Sequence, residues 1–238
     1  MVNHCLIINL DKREDLWNNL TSFREKWTEE GKTWHRIPGV DYTNDQNIIN
    51  RLLMTNKIDL NGSGFRKGKI PFLGELGCYM GHYNSWKYVV DHKLESCFIL
   101  EDGVTILKDD FHNIKMNHNF DVLFVNEEMK MDSNKQFIGY GTQGYIVTQK
   151  GAAALMKHCE TLYAPIDLQI RNLCNTKIIT ASVLSKSLVK RDENRISSIQ
   201  NEQVLNSESV NDKQDPYPLI QRIILNLIKK NVNLDEYI

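Results

Sequence analysis

Two adjacent acids close the apolar run Cys97-Phe98-Ile99-Leu100-Glu101-Asp102-Gly103. An apolar strand with carboxylates at its C-terminal end matches where open α/β sheets bind ligands. Oxygen donors of this kind suit Mn2+ or Mg2+. Such a cation bridges a diphosphate and stabilises the charge that grows on it as a leaving group departs. The alternative is a solvated turn after a strand. A second constellation is Gly74-Glu75-Leu76-Gly77-Cys78-Tyr79-Met80-Gly81-His82. Glycines around a helix start admit close backbone approach, and the N–H groups there suit a phosphate or a carboxylate. Glu75 and His82 are then orienting groups. The competing reading is helix–sheet packing through small residues, with His82 satisfied and partly buried, and the residues alone favour it for His82. Gly141-Thr142-Gln143-Gly144-Tyr145 offers hydroxyl and amide groups for a sugar-facing wall, or a plain turn between strands. In Pro165-Ile166-Asp167 the acid is either a base or sugar-binding carboxylate, or the N-cap of a following helix.

These groups need a scaffold, and short apolar runs alternating with amphipathic stretches predict an α/β fold with a mainly parallel sheet. His4 to Leu10 reads as a first buried strand. Asp11 and Glu14 then form a capping-box pattern, followed by Leu16, Leu20, Phe23 and Trp27 at helical spacing. Trp34 to Ile37 reads as the next strand, and Ile48 to Leu53 as a short helix. The basic, glycine-rich stretch around Arg66, Lys67 and Lys69 reads as a mobile loop placed to close over phosphates. Leu76 to Val90 outlines a helix face, and Cys97 to Leu100, Val122 to Val125 and Tyr145 to Val147 read as strands. Thr148 caps a helix through Ala152 to His158, and Lys177 to Ala181 reads as a late strand. One domain over residues 1–200 is expected, then a polar linker over 201–216. An amphipathic helix over 217–238 follows, with an apolar stripe that either completes the core or packs on a second copy of the chain.

Composition narrows the partners. With 238 residues and a formal net charge of -1, nothing calls for a nucleic-acid backbone or an anionic membrane, so any phosphate site is local. Five widely spaced cysteines without a C-x-x-C argue for buried, reduced thiols rather than disulfides or a zinc knuckle. The run from Cys5 to Leu10 is too short for a targeting or membrane segment. A cytoplasmic protein without a transmembrane segment is the expectation.

Taken in order, these pieces resemble glycosyltransferase family 25, which includes bacterial lipopolysaccharide-type transferases and collagen galactosyltransferases. Ile8-Asn9-Leu10-Asp11 with Arg13 looks like the family's opening strand and turn, and Arg36-Ile37-Pro38-Gly39-Val40-Asp41 its next turn. Gly74-Glu75-Leu76-Gly77-Cys78 with His82 and Trp86 is similar to its most distinctive segment. Leu100-Glu101-Asp102 falls at its acidic metal motif, and Pro165-Ile166-Asp167 at its downstream aspartate. Gly144-Tyr145 and Gly151-Ala152 match its later strand and helix, and Arg195-Ile196-Ser197-Ser198-Ile199 its usual ending. Two positions depart: Gly103 stands where the family usually has a second aspartate, and Gly81 where it often has serine. The resemblance implies a GT-A type, Rossmann-like fold. It implies transfer of a hexosyl group from a UDP-sugar to a hydroxyl acceptor on a glycan or protein, with inversion, through an oxocarbenium-like transition state. Nucleotide-sugar contacts are then expected from Asn9, Leu10, Asp11, Arg13, His82, Gln143, Gly144 and Tyr145. Glu101 and Asp102 would hold Mn2+ or Mg2+ and the diphosphate, a site weakened by Gly103. Asp167 would be the base, with Glu75 as understudy. The rivals are a metal-impaired nucleotide-sugar binder and a weak UDP-sugar hydrolase.

Overall fold

The structure, a computed structural model, describes residues 1–42, 45, 47–59, 73–107 and 119–192. All of these belong to the first of two compact units, Met1–Arg195. Arg66, Lys67 and Lys69, the 201–216 linker and the 217–238 helix lie outside the described residues.

The chain opens with β1 (His4–Asn9), α1 (Glu14–Asn19), α2 (Thr21–Glu29), β2 (Thr33–Pro38) and α3 (Ile48–Met54). Then come α4 (Leu73–Asp91), β3 (Ser96–Glu101), β4 (Val104–Ile106), β5 (Val122–Phe124), β6 (Lys130–Met131) and β7 (Phe137–Ile138). β8 (Gly144–Thr148), α5 (Gln149–His158), α6 (Ile166–Asn175), β9 (Ala181–Val183) and β10 (Val189–Arg191) complete the described part. The architecture is the α/β one that the alternation predicts, and Rossmann-like as the family resemblance implies. Its six-stranded sheet runs β2-β1-β3-β8-β5-β9. The β1–β2, β1–β3 and β5–β9 pairs are parallel, while β8 runs antiparallel to both neighbours. β10 pairs with β4 and β6 with β7 in two small antiparallel ribbons.

The two faces of the sheet can be read from residue parity, because successive strand side chains point to opposite sides. Leu6, Ile8, Cys97, Ile99, Tyr145 and Val147 join one core with Leu76, Tyr79 and Trp86 of α4. Cys5, Ile7, Phe98, Leu100 and Ile146 join the other with Leu20, Phe23 and Trp27. Helices therefore cover both faces, and the central strands read as near-continuous apolar runs.

α4 packs on the sheet through its glycines. A Cβ on Gly77 would sit 2.4 Å from the Val40 carbonyl oxygen, and one on Gly81 2.7 Å from Ile8 Cγ2. These glycines lie inside the helix, so the packing reading holds for them rather than an anion site at a helix start.

Other local expectations shift. The Asp11/Glu14 capping box does not form: α1 has Arg13 at its N-cap and no side-chain cap bond. The single helix expected through Trp27 divides at Leu20, where Arg24 Nη1 donates to the Trp17 carbonyl at 2.5 Å and satisfies the broken turn. Thr148 does cap α5, accepting from Gly151 N at 3.0 Å. The late strand starts at Ala181 rather than Lys177, and Ile179 is buried in the segment between α6 and that strand.

Candidate active site

β1 and β3 are parallel neighbours with Ile8 opposite Glu101, so their C-terminal ends open side by side. Asn9 joins them. Its amide donates to Asp102 Oδ2 at 2.7 Å and to the Arg13 carbonyl at 3.1 Å, and its oxygen accepts from Arg36 Nη2. Asn9 is buried, and these bonds explain how a polar side chain is held there. The Asp102 N–H donates to the Ile8 carbonyl at 3.0 Å, so the acid is fixed to the β1 end through main chain and side chain alike.

Cations surround this turn. Arg36 also reaches Asp11 at 3.2 Å and lies 4.8 Å from the centroid of the Trp17 ring. Arg13 donates to both Asp15 oxygens at 2.9 and 2.8 Å. That hydrogen bond chiefly raises the Arg13 guanidinium above its usual range, with Asp15 and Asp102 adding through their charge. Gly39 lets the turn close: its N–H donates to the Asn9 carbonyl at 2.8 Å, and a Cβ there would lie 3.1 Å from Leu10 N. Arg13 of the turn and Arg36 of β2, each paired with an exposed aspartate, Asp15 and Asp11, can exchange those partners for a diphosphate, and the buried Asp102 can share a hard cation with it.

The opposite side of β3 carries a different set. Glu101 Oε1 lies 3.2 Å from His82 Nε2 and accepts from Thr142 Oγ1 at 2.7 Å. His82 Nδ1 lies 2.9 Å from the Tyr145 hydroxyl, which accepts from Trp86 Nε1 at 2.8 Å. The Tyr145 oxygen takes the indole hydrogen, so its own hydrogen is available to Nδ1. This pattern assigns the imidazole hydrogen to Nε2, where it points at Glu101. Trp86, Tyr145, His82 and Glu101 thus form one directed chain from the core to the end of β3.

Asp167 joins from α6. Its oxygens accept from Gly141 N at 3.0 Å and Leu168 N at 2.8 Å. Burial pushes its pKa above the ordinary carboxylate value against the pull of those two bonds, and the Glu101 charge adds to the rise. The residue is inside α6, whose N-cap is Pro165, so the N-cap reading of Asp167 falls.

The structure therefore sorts the expected residues into two groups. Asn9, Leu10, Asp11, Arg13 and Asp102 gather on one flank of β3; His82, Glu101 and Asp167 gather on the other, with Gln143 giving its carbonyl to the Glu101 N–H at 3.0 Å. Glu101 and Asp102, expected to hold a cation together, have different partners in the structure. Neighbouring residues at a strand end face opposite sides of a sheet, and their partners, His82 against Asn9, lie on those two sides. Tyr145 is likewise corrected as a sugar-facing residue: it is 1% exposed, and its hydroxyl is engaged in the core. Gly144 serves packing, since a Cβ there would meet Val189 Cγ2 at 2.6 Å. Glu75 lies in the first turn of α4, two turns before His82. Among the described residues, Cys78, His82 and Glu101 bring three metal-ligand atoms within 4.8 Å of one another.

Arg36 was missed as a site residue. Its signal is an arginine near the end of β2, two residues before the Pro38–Gly39 turn. Trp86 and Thr142 were also missed as partners, because their roles come from contacts distant in sequence.

The profile of glycosyltransferase family 25 (LPS biosynthesis protein) matches residues 2–138. A glycosyltransferase 25 family member of Aedes aegypti is 26% identical over 204 residues, covering 73% of this chain and 31% of that protein. Procollagen galactosyltransferase 1 of Danio rerio is 25% identical over 104 residues, 35% of this chain and 17% of that protein. The chain thus spans less than a third of either relative. A solved glycosyltransferase involved in glycosylation of the major capsid of PBCV-1 is similar with a TM-score of 0.48 at 9% identity, over 86% of this chain and 99% of that one. No helix among the described residues is long and apolar enough to cross a membrane. The profile covers more than half of the sequence, and the chain belongs to glycosyltransferase family 25.

Proposed function

We propose that the chain transfers a hexosyl group from a UDP-sugar to a hydroxyl acceptor on a glycan or protein, with inversion, in the cytoplasm. The observation that carries the donor reading is the 2.7 Å bond from Asn9 to Asp102, which joins the opening turn and its arginines to the acid of β3. The galactosyltransferase name of the Danio rerio relative supports a hexose donor. Five free cysteines suit a reducing compartment.

On this reading Arg13 and Arg36 neutralise the diphosphate and orient it. Asp102 is the residue that would hold Mn2+ or Mg2+, since one carboxylate with phosphate oxygens and water is a set those ions accept. When bound, such an ion offsets charge on the departing diphosphate. Asp167 takes the acceptor's hydroxyl proton; a carboxylate made more basic by burial suits that task. Glu75, in the first turn of α4, is the alternative base for the acceptor.

Calorimetry of UDP and UDP-sugars, with and without Mn2+, tests the donor reading. Binding at a hundredfold excess over the Kd should stabilise the fold by about 2.7 kcal/mol. No UDP binding at millimolar concentration under either condition removes it. A second reading, a metal-impaired nucleotide-sugar binder or weak hydrolase, is favoured by Glu101 turning away to His82 while position 103 is glycine. A donor-specific thermal shift without turnover selects the binder, and sugar release without an acceptor selects the hydrolase.

A further inference from the structure

The face of α4 that meets the end of β3 carries a ligand set of its own. Cys78 and His82 stand four residues apart on α4, so their side chains leave the same side of the helix one turn apart. Glu101 meets them from β3. The sulfur, imidazole and carboxylate atoms all lie within 4.8 Å of one another, and His82 Nε2 is already 3.2 Å from Glu101 Oε1. Four-coordinate zinc, with bonds of about 2.0–2.3 Å, holds its ligand atoms roughly 3.3–3.8 Å apart. The His82–Glu101 spacing is already close to that range, and a small side-chain adjustment of Cys78 closes the remainder.

We propose that Cys78, His82 and Glu101 form a three-ligand site for a thiophilic divalent cation of the Zn2+ type. Its ligand chemistry separates it from a hard cation at Asp102: thiolate and imidazole select Zn2+, whereas carboxylate and phosphate oxygens suit Mg2+ and Mn2+. The charges balance, because one thiolate and one carboxylate neutralise a dication, which suits a site where His82 is buried and Glu101 and Cys78 are half-buried. Outer partners are in place. Thr142 donates to Glu101, and the Tyr145 hydroxyl stands behind His82 Nδ1, where metal-bound imidazoles keep a hydrogen-bond partner. On binding, the Cys78 thiol releases its proton to solvent. The imidazole hydrogen leaves Nε2, the ring is protonated at Nδ1, and Nδ1 then donates to Tyr145. The net release is one proton per cation. Three protein ligands leave one position for water or a ligand oxygen.

The site does not depend on the proposed donor, so its test is independent of UDP binding. Co2+ replaces Zn2+ as a spectroscopic probe, added to the metal-stripped full chain under reducing conditions. One equivalent should produce a thiolate-to-metal charge-transfer band and the intense visible bands of four-coordinate Co2+, both removed by Zn2+. Cys78→Ser should abolish the charge-transfer band. Glu101→Gln should weaken Co2+ binding by tenfold or more, and Asp102→Asn should leave the spectrum unchanged. No charge-transfer band in the parent protein, or a band that survives Cys78→Ser, overturns the proposal. If Cys78→Ser does not fold, alkylation of the parent chain read by mass spectrometry decides. Zn2+ should protect Cys78 from iodoacetamide, and equal labelling with and without Zn2+ overturns the site.

Discussion

Replacing Tyr145 by phenylalanine removes one oxygen and keeps the ring, so the loss is of hydrogen bonds rather than of packing. That oxygen serves two buried partners, Trp86 Nε1 at 2.8 Å and His82 Nδ1 at 2.9 Å. Trp86 is 0% and His82 1% exposed, so water cannot take the place of the hydroxyl without rearrangement. Each stranded buried group costs about 1–3 kcal/mol. Allowing for partial relaxation of the imidazole, Tyr145→Phe should destabilise the fold by about 2–4 kcal/mol, a large share of the roughly 5–15 kcal/mol that domains possess. A loss of about 3 kcal/mol lowers Tm by roughly 6–12 °C in a chain of this size. Urea unfolding followed by tryptophan fluorescence measures it as a lower midpoint at unchanged slope. A cycle with Trp86→Phe should reveal coupling of about 0.5–3 kcal/mol. A loss below about 1 kcal/mol, or additive single and double variants, would refute the directed chain from Trp86 to Glu101.

Asp102→Asn should abolish turnover and weaken UDP binding more in Mn2+ than without metal; calorimetry showing equal weakening in both conditions removes Asp102 from the cation. Asp167→Asn should lower kcat far more than donor affinity, because a base acts on the acceptor proton. The rate should rise with pH through a pKa above the ordinary carboxylate range, the direction set by burial. A folded-state pKa that is raised contributes stability below the unfolded value and loses it as pH climbs through the raised one. Asp167→Asn removes that charge but sets an amide donor against one of the two backbone N–H groups, so its stability relative to the parent should be more favourable at neutral pH than in acid, which melting curves at both pH values check. Gly77→Ala gains about 1 kcal/mol in helix propensity but pushes a methyl against a backbone oxygen 2.4 Å away. Overpacking of about 1–3 kcal/mol should outweigh that gain, and an unfolding midpoint at or above the parent's would show that α4 is free to lift.

Much of the scaffold was legible because buried strands and amphipathic helices announce themselves by period. β1, β3, β5 and β8 fall within a residue or two of the apolar runs, and Thr148 caps α5 as its type suggests. The same period-2 rule, applied to Cys97–Asp102, already separates the two carboxylates: Glu101 shares the parity of Ile99 and Asp102 that of Leu100, so the acids face different layers. What the residues could not reveal was tertiary. The split at Leu20 depends on Arg24 reaching Trp17, and the burial of Tyr145 depends on Trp86, which is 59 residues away in sequence. The late strand was displaced because an apolar Ile178-Ile179 pair reads alike in a turn packed on the core and in a strand.

The contact between Gly81 and Ile8 has a consequence for how this sequence can change. A Cβ at position 81 would meet Ile8 Cγ2 at 2.7 Å, and a β-branched methyl has few rotamers into which to retreat. The two positions are therefore locked in order: residue 8 must lose bulk before residue 81 can acquire a side chain. A serine introduced at 81 alone lifts α4 and carries His82 away from Glu101, whereas the same serine over alanine at 8 finds room. A library that samples single substitutions at this helix–sheet seam should score as forbidden a residue that the double variant tolerates.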